Sequence, residues 1–270
     1  METQSNTELW QTMFGTGHPL LLSYQRFNRR LPSPPRCKMC LAPFRGIGSI
    51  VMRWQGRTPS NRNPRFCSRC DSFIRTYPGG AEVEMSMLFV DVRGSTTLAE
   101  KMSPTQFSAL MNSFYGLTTS ILFETDGFVI DLVGDEVVGL YPPGFSGPEH
   151  AKLAIRAAQM ILHANSSIPI GLGVHTGVAY IGTMGGADNS IMDVRALGDS
   201  VNTAARLCSK ASPGEAFISE AACASAGINL DILERRQLEL KGKSETVEVR
   251  VLRGDSSVTV PDSDKRIISK

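Results

Sequence analysis

Several features of membrane-spanning and secreted proteins are missing from this sequence. No apolar run is long enough to span a bilayer, and the N-terminus lacks the basic-then-apolar pattern of a signal peptide. We therefore expect a cytoplasmic protein with no membrane partner. The 270 residues are 41% hydrophobic and 20% charged, which is typical of a globular protein with one large domain, or with a medium and a small one.

Acidic residues are scarce in the first 80 positions. This segment has eleven Arg and one Lys against only Glu2, Glu8 and Asp71, a net charge of +9, whereas the rest of the chain carries −7. Such an asymmetry indicates two modules. The basic module either contacts nucleic acid or uses its arginines for solvation and for docking on an acidic neighbour, and we favour the second interpretation.

Nucleophilic catalysis has no visible signature, because no Cys–His or Ser–His–Asp pattern stands out. His175 in GVHTG is interpreted as a hydrogen-bonded strand residue. Two carboxylates lie where strand-like runs meet turns instead. Asp91 follows the apolar run 87–90, and Asp135 lies at the turn of FVIDLVGDEVVGLY. Carboxylates on adjacent strand ends can hold ions of the Mg²⁺ type, which bind substrate phosphates.

Asp131 is unusual because it falls inside an apolar run, with the strand parity of Val129 and Val133. A carboxylate flanked by apolar neighbours needs a partner or a function. The sequence DVRGST adds a plausible phosphate cradle of backbone N–H groups and hydroxyls at a turn. Further positive charge for a polyphosphate comes from Arg206, Lys241 and Lys243.

Four of the six cysteines form two Cys-x-x-Cys pairs, which predict a four-thiolate metal site in a cytosolic chain: Cys37, Cys40, Cys67 and Cys70. Structural Zn²⁺ is the favoured ion, with an iron–sulfur cluster as the alternative. A closed four-cysteine site folds its module and does not catalyse. Cys208 and Cys223 are interpreted as packing residues.

The pattern of the remaining chain favours an α+β fold with a largely antiparallel sheet. TELWQTMF predicts a short helix, and 103–124 and 147–165 predict long ones. The segment 198–211 predicts a short helix with Asn202 and Arg206 on one face. We expect hairpins at 128–141 and at the C-terminal end, where the turn falls at Gly242, and two strands in 168–186. The predicted modules are 1–80 and 81–255, followed by a flexible tail at 256–270.

Five motifs in order resemble class III nucleotidyl cyclases: FVDVRGST, VGDEVVGLY, GVHTGVAYIG, LGDSVNTAARL and LELKGKSE. The resemblance covers about residues 84–253. The whole chain also resembles bacterial cyclases with an amino-terminal Cys-x-x-Cys module. The resemblance to class III cyclases implies a ferredoxin-like α+β cyclase domain that forms a homodimer with active sites at its interface. We expect a small zinc-ribbon-like module before this domain.

The resemblance also implies a reaction and roles for individual residues. A nucleoside 5′-triphosphate would become the 3′,5′-cyclic monophosphate plus pyrophosphate, with two Mg²⁺ or Mn²⁺ ions per site. Asn202 would position the ribose, and Arg206 would stabilise charge on the α-phosphate. The remaining implied site residues are Asp91, Val92 and Asp135 for the catalytic metals, and Arg93, Gly94, Ser95, Thr96, Lys241 and Lys243 for the phosphates.

Two base-reading positions depart from the adenylate cyclase pattern. Asp131 replaces a lysine, and Arg195 replaces an aspartate or threonine. A carboxylate and a guanidinium suit guanine or uracil and do not suit adenine. Some bacterial relatives, the pyrimidine cyclases of antiphage defence systems, make cyclic UMP or CMP. Alternatively Asp131 and Arg195 pair with each other and the base is read elsewhere.

Other functions stay open at this point. The chain could be a conventional adenylate cyclase, or a catalytically silent cyclase-like sensor. Nucleic-acid binding by the basic module is a less favoured third possibility. The joint presence of Asp91, Asp135, Asn202 and Arg206 favours an active enzyme, because a silent module has no chemical need for all four.

Overall fold

The computed structural model describes residues 5–32, 34–164, 168–185, 192–229, 231–240 and 246–256. The chain divides into two compact units. The first comprises Met1–Val83, Pro143–Gly147 and Ala179–Leu197, and the second comprises Glu84–Pro142, Pro148–Val178 and Gly198–Lys270. Among the described residues, no helix has the length and apolarity needed to cross a bilayer.

The helices of the described residues follow each other in this order: α1 (Asn6–Gln11), a π-helical turn (Thr12–Thr16), α2 (Pro19–Arg29), α3 (Gly46–Trp54), α4 (Ser68–Thr76), α5 (Ser95–Lys101), α6 (Pro104–Glu124), α7 (Pro143–Ser146), α8 (His150–Ala164), α9 (Asp199–Lys210) and α10 (Glu220–Ala226). Two of them begin with capping boxes, Ser5 with Glu8 on α1 and Ser103 with Gln106 on α6. The predicted helices at 103–124 and 198–211 are confirmed as α6 and α9.

The strands are β1 (Gly80–Val92), β2 (Phe128–Val133), β3 (Glu136–Tyr141), β4 (Ile170–Gly185), β5 (Met192–Leu197), β6 (Glu215–Ser219), β7 (Glu234–Leu238) and β8 (Val247–Arg253). They form a sheet of order β2-β3-β1-β4-β6-β8-β7, and β5 pairs with β4. The β1–β3, β2–β3, β4–β5, β6–β8 and β7–β8 ladders are antiparallel, and β4–β6 is parallel. The prediction of an α+β fold with a mainly antiparallel sheet is confirmed.

Aromatic stacking and strand pairing hold the first unit together. The Phe14 ring stacks on Trp10 at 5.4 Å and on Phe145 of α7 at 5.0 Å between ring centroids. The end of β4 pairs antiparallel with β5 in this unit, and Arg65 binds Asp193 of β5 at 2.9 Å. The cysteine-containing segment is therefore tied to β5 of its own unit through Arg65.

The second unit has its main core on one face of the sheet, under α6, α8 and α10. Side chains from alternate strand positions of β1 and β4 enter this core: Leu88, Val90, Val92, Leu172 and Val174. The opposite face carries Asp91 of β1, and α9 packs there through Leu207 onto Phe217 of β6. This second face therefore collects the polar residues that the sequence singles out.

One strand prediction is wrong. The segment 168–186 was expected to contain two strands, but β4 runs unbroken from Ile170 to Gly185. Its glycines do not break the strand. Three of them lie on the same face, where other groups approach the backbone closely: Gly171, Gly173 and Gly177. The C-terminal hairpin of β7 and β8 is confirmed, whereas its expected turn at Gly242 and the expected tail lie outside the described residues, apart from Ser256.

Candidate functional site

Asp91 and Asp135 are brought together at the end of β1. The backbone N–H of Val92 donates to the carbonyl of Asp135 at 3.1 Å, and Asp91 lies opposite Glu136 in the β1–β3 ladder. The pKa of Asp91 is raised overall. Burial is the main cause, the charge of Arg93 opposes it, and the charge of Asp135 raises the pKa further. Two neighbouring carboxylates that repel each other are a donor set suited to divalent cations.

Glu136 is a member of this acidic group that sequence reasoning missed. Burial raises its pKa, and the charges of Asp91, Asp135 and Asp131 raise it further. The hairpin turn at Gly134 and Asp135 predicts that Glu136 begins a strand, but only the β1–β3 ladder puts it opposite Asp91. The acidic group therefore has four members: Asp91, Asp131, Asp135 and Glu136.

A β-bulge decides the orientation of Asp131. Val129 pairs with Gly139 and Asp131 pairs with Val138, so the register shifts between Val129 and Asp131. Neighbouring positions of β3 point to opposite faces, and the expectation that Asp131 shares a face with Val129 is therefore wrong. Val129 enters the core, whereas Asp131 lies on the face of Glu136 and Asp91.

Arg93 links the acidic group to α9. Its guanidinium forms an ion pair with Asp91 at 2.8 Å and donates to the backbone carbonyl of Cys208. It lies directly against Gly171, where a Cβ would collide with it. The expected role of Arg93 in phosphate binding stays a prediction, but these contacts suit a residue that positions Asp91.

The turn after β1 has a left-handed glycine, since Gly94 has φ +68°. The Ser95 hydroxyl donates to a carboxylate oxygen of Asp135, so it contacts the acidic group. Thr96 is exposed on α5. On the other side, the Tyr115 hydroxyl of α6 donates to the Gly134 carbonyl and ties the β2–β3 turn to that helix. No sequence signal marked Tyr115 among the other residues of its helix.

Helix α9 carries Asn202, which is exposed, and Arg206, which is half-buried. The helix lies unusually close to β4. A Cβ on Gly173 would meet the α9 backbone, at 2.9 Å from the Cys208 Cα and nearer still to the Cys208 nitrogen and the Ala204 oxygen. Glycine at this position therefore sets the distance between α9 and the sheet.

Three predicted site residues remain. Arg195 is half-buried on β5 in the first unit, where it pairs with Gly182 of β4. Lys241 and Lys243 lie outside the described residues. Their expected roles stay predictions.

The four cysteines of the first unit form one cluster. The sulfurs of Cys37, Cys40, Cys67 and Cys70 all lie within 4.8 Å of one another, and each residue is buried. The Cys40 and Cys67 sulfurs are 3.7 Å apart. A tetrahedron with metal–sulfur bonds of about 2.3 Å has edges of about 3.8 Å. The arrangement therefore fits one tetrahedral ion.

Arg57 balances the charge of this cluster. It is buried, and its guanidinium lies 4.0 Å from the Cys67 sulfur and 3.9 Å from the centre of the Tyr24 ring. Burial alone would lower the pKa of Arg57, but the charges of Cys40, Cys67 and Cys70 raise it overall. A buried cation held by thiolates agrees with a four-thiolate metal centre, which carries excess negative charge.

Comparisons with known proteins point to one family. The family model described as "Adenylate and Guanylate cyclase catalytic domain" matches residues 80–253. A curated relative is "Adenylate cyclase 1" of Rhizobium meliloti (strain 1021), 28% identical over 136 residues. That match covers 46% of this chain and 20% of the relative, so the chain spans about a fifth of that protein's length.

Solved structures share the fold. The adenylyl cyclase CyaB from P. aeruginosa superimposes with a TM-score of 0.59 at 24% identity, covering 67% of this chain and all of that one. The guanylyl cyclase Cya2 superimposes with a TM-score of 0.58 at 22% identity, covering 64% of this chain and 93% of that one. The adenylyl cyclase and the guanylyl cyclase therefore superimpose on this chain about equally well.

Proposed function

Since the chain belongs to the adenylate and guanylate cyclase catalytic domain family, with residues 80–253 matching its model, we propose that it is a nucleotidyl cyclase. It would convert a nucleoside 5′-triphosphate to the 3′,5′-cyclic monophosphate. The ribose 3′-oxygen loses its proton and attacks the α-phosphorus, the bond to the β-phosphate oxygen breaks, and pyrophosphate leaves.

One observation carries this proposal. Asp91 and Asp135 meet on the sheet face that also bears α9, the helix of Asn202 and Arg206. A carboxylate pair for cations, together with an amide and a guanidinium for ribose and phosphate, is what phosphoryl transfer needs. In this proposal Asn202 orients the ribose, and Arg206 stabilises charge on the α-phosphate.

Asp91 and Asp135 are the proposed ligands of two Mg²⁺ or Mn²⁺ ions. Bound there, divalent ions supply Lewis-acid activation of the ribose hydroxyl and neutralise phosphate charge. Arg93 keeps the Asp91 carboxylate oriented through their 2.8 Å ion pair, and Ser95 does the same for Asp135. Val92 remains part of the proposed metal site, and its N–H already fixes the Asp135 backbone.

We further propose that the enzyme prefers GTP or UTP. A carboxylate at Asp131 accepts from guanine N1–H or uracil N3–H, and a guanidinium at Arg195 donates to guanine O6 or uracil O4. Adenine offers an acceptor at N1 and a donor amino group, so it would leave both side chains mismatched. An unpaired buried polar group is costly, which makes such a pair selective.

The proposed active form is a homodimer with both sets of site residues in each copy. The cysteine cluster is proposed to hold structural Zn²⁺. Sulfurs confined within 4.8 Å of one another favour a single ion over an iron–sulfur cluster, because a cluster inserts iron and sulfide between the thiolates.

The test of activity is product formation from an equimolar mixture of the four ribonucleoside triphosphates with Mn²⁺. We expect a cyclic nucleotide with guanine or uracil as its base, and a clear preference for ATP would contradict the base proposal. Asp91→Asn and Asp135→Asn should abolish turnover, whereas Glu100→Gln, an exposed acid on α5, should not. Unchanged turnover in the Asp91 variant would overturn the proposed metal role.

Base selection has its own test. The double variant Asp131→Lys, Arg195→Thr restores the adenine-reading residue types and should raise the ATP to GTP ratio of kcat/KM by about tenfold or more. Each single variant should lose turnover on every base. An unaltered ratio in the double variant would show that the base is read by other residues.

A further inference from the structure

Two helices of the first unit carry apolar side chains on the outside. The exposed positions recur at i, i+4, i+7 on α2 and at i, i+3, i+4, i+7 on α3, so each set forms one stripe. Trp54 is 90% exposed and Ile47 76% exposed. We name the seven residues the apolar face: Leu20, Tyr24, Phe27, Ile47, Ile50, Val51 and Trp54.

Each helix also has an inner side, which is mixed in character: α2 buries Leu21, Gln25 and Asn28, and α3 buries Gly48, Ser49 and Met52. Gln25 donates to the Met39 carbonyl and Asn28 to the Cys40 carbonyl, both at 2.7 Å. A helix of a globular domain normally turns its apolar stripe inward. Here the inner side of α2 includes two amides that donate to the carbonyls of the cysteine turn, and the longer apolar stripe of each helix lies on the outside. Core formation therefore does not account for the apolar face.

The two stripes belong to neighbouring parts of the unit. The Tyr24 ring of α2 lies 3.9 Å under the guanidinium of Arg57, which follows the end of α3. A Cβ on Gly48 of α3 would lie 3.2 Å from the Leu31 Cβ, just after α2. The helices are adjacent, and the turn between Cys37 and Cys40 of the cysteine cluster is bonded to α2 through the carbonyls of Met39 and Cys40.

Positive charge surrounds the apolar face. Residues 9–70 contain ten Arg and one Lys and no Asp or Glu. Five of the arginines are exposed on α2, on α3 or at their ends: Arg26, Arg29, Arg30, Arg45 and Arg53. A segment without any carboxylate meets no repulsion from a densely anionic surface.

We propose that this face docks the protein on the surface of a bilayer containing anionic phospholipids. Trp54, Ile47 and their neighbours enter the boundary between headgroups and acyl chains, while the arginines bind lipid phosphates. The expectation of no membrane partner rested on the lack of a spanning segment, and surface binding needs none.

Other occupants fit less well. A second copy would bring two arginine-rich faces together at a cost in repulsion. Single-stranded nucleic acid binds stacking rings, but four of the seven residues are aliphatic: Leu20, Ile47, Ile50 and Val51. A protein partner would need preformed pockets for side chains that protrude from two helices, whereas the lipids of a fluid bilayer rearrange around them.

The test is co-sedimentation of the full, metal-loaded chain with vesicles. We expect binding to phosphatidylcholine vesicles that contain phosphatidylglycerol, and little binding to pure phosphatidylcholine. The double variant Trp54→Ala, Ile47→Ala should lower the partition coefficient about tenfold, equivalent to about 1.4 kcal/mol. Arg53→Gln should lower it about fivefold. Ile232→Ala and Lys101→Gln, exposed residues of the second unit, are matched controls that should bind as wild type.

Fluorescence gives an independent measurement. The chain has two tryptophans, Trp10 fully buried and Trp54 exposed, so a blue shift on vesicles reports Trp54. The proposal is overturned if anionic vesicles fail to sediment the chain at low salt, or if the double variant binds as wild type. It is equally overturned if the double variant binds vesicles as wild type does and changes only the oligomeric state. It is also overturned if an oligonucleotide displaces the vesicles from the wild-type chain and binds the double variant with unchanged affinity.

Discussion

Gly173→Ala tests how the sheet positions α9. The new Cβ would stand 2.9 Å from the Cys208 Cα and closer to two backbone atoms of the same helix, whereas ordinary contacts begin at 3.4 Å. Backbone atoms cannot rotate aside as a flexible side chain can. The helix must therefore retreat from β4 by about 1 Å.

Two consequences follow, of different size. Overpacking a close contact of this kind lowers the free energy of unfolding by about 1–3 kcal/mol. The retreat also carries Asn202 and Arg206, because both are on α9. A misplacement of about 1 Å in a phosphoryl-transfer site lowers turnover by about 10²-fold, so activity should fall more than stability alone predicts.

The assay combines urea unfolding with steady-state cyclic nucleotide formation. The matched control is Gly116→Ala on α6, where an added Cβ meets no atom within 4 Å. That variant should gain about 1 kcal/mol from helix propensity at unchanged turnover. Wild-type stability of Gly173→Ala would refute the packing argument, and full turnover of a destabilised Gly173→Ala would refute the positioning role of α9.

Three further predictions concern other parts of the chain. Burial would raise the pKa of Glu215, but hydrogen bonds from two arginines lower it. Its stabilising effect is therefore fully present above the unfolded pKa of about 4.3, and it disappears as pH falls through the lowered value. Glu215→Gln should lower the free energy of unfolding by about 1–3 kcal/mol at neutral pH. Urea unfolding at a series of pH values should show this gap narrow in acid, and a constant gap would contradict the linkage. Cys67→Ser should remove the proposed zinc and unfold the first unit, because the metal site folds its module. Cys223→Ser lies outside the cluster and should keep both the zinc and the fold, as checked by metal content and urea unfolding. Arg93→Lys keeps a positive charge beside Asp91 but loses the hydrogen bond to the Cys208 carbonyl of α9. The kcat should therefore fall about tenfold without a matching loss of stability, and an unchanged kcat would refute the positioning role of Arg93.

Local patterns predicted much of the fold. The cysteine spacing foresaw a four-sulfur cluster, and helical periodicity foresaw α6 and α9, because these signals depend on neighbours in the chain. The prediction of two strands within 168–186 was wrong, because β4 is one continuous strand. Glycine there serves a close approach of Arg93 and α9, and periodicity cannot distinguish this from a turn.

The candidate site was predicted in its residue types and only partly in its geometry. Asp91 and Asp135 follow from strand ends, whereas the orientation of Asp131 depends on a bulge that shifts the register by one residue. Glu136 and Tyr115 joined the site only through the register of the hairpin and the phase of α6. A strand alternates with a period of two, so a single extra residue reverses every later assignment.

By itself the sequence determined the chemistry that the chain can offer: four thiolates in two pairs, carboxylates at strand ends, an amide and a guanidinium one helical turn apart, and a first segment almost without acids. These are properties of residue type and spacing. Only the tertiary structure decided that Arg93 connects Asp91 to α9, and that the apolar stripes of α2 and α3 face outward while Gln25 of α2 lies inside. Both depend on contacts between residues far apart in the chain, and local spacing carries no information about which partner a side chain will meet.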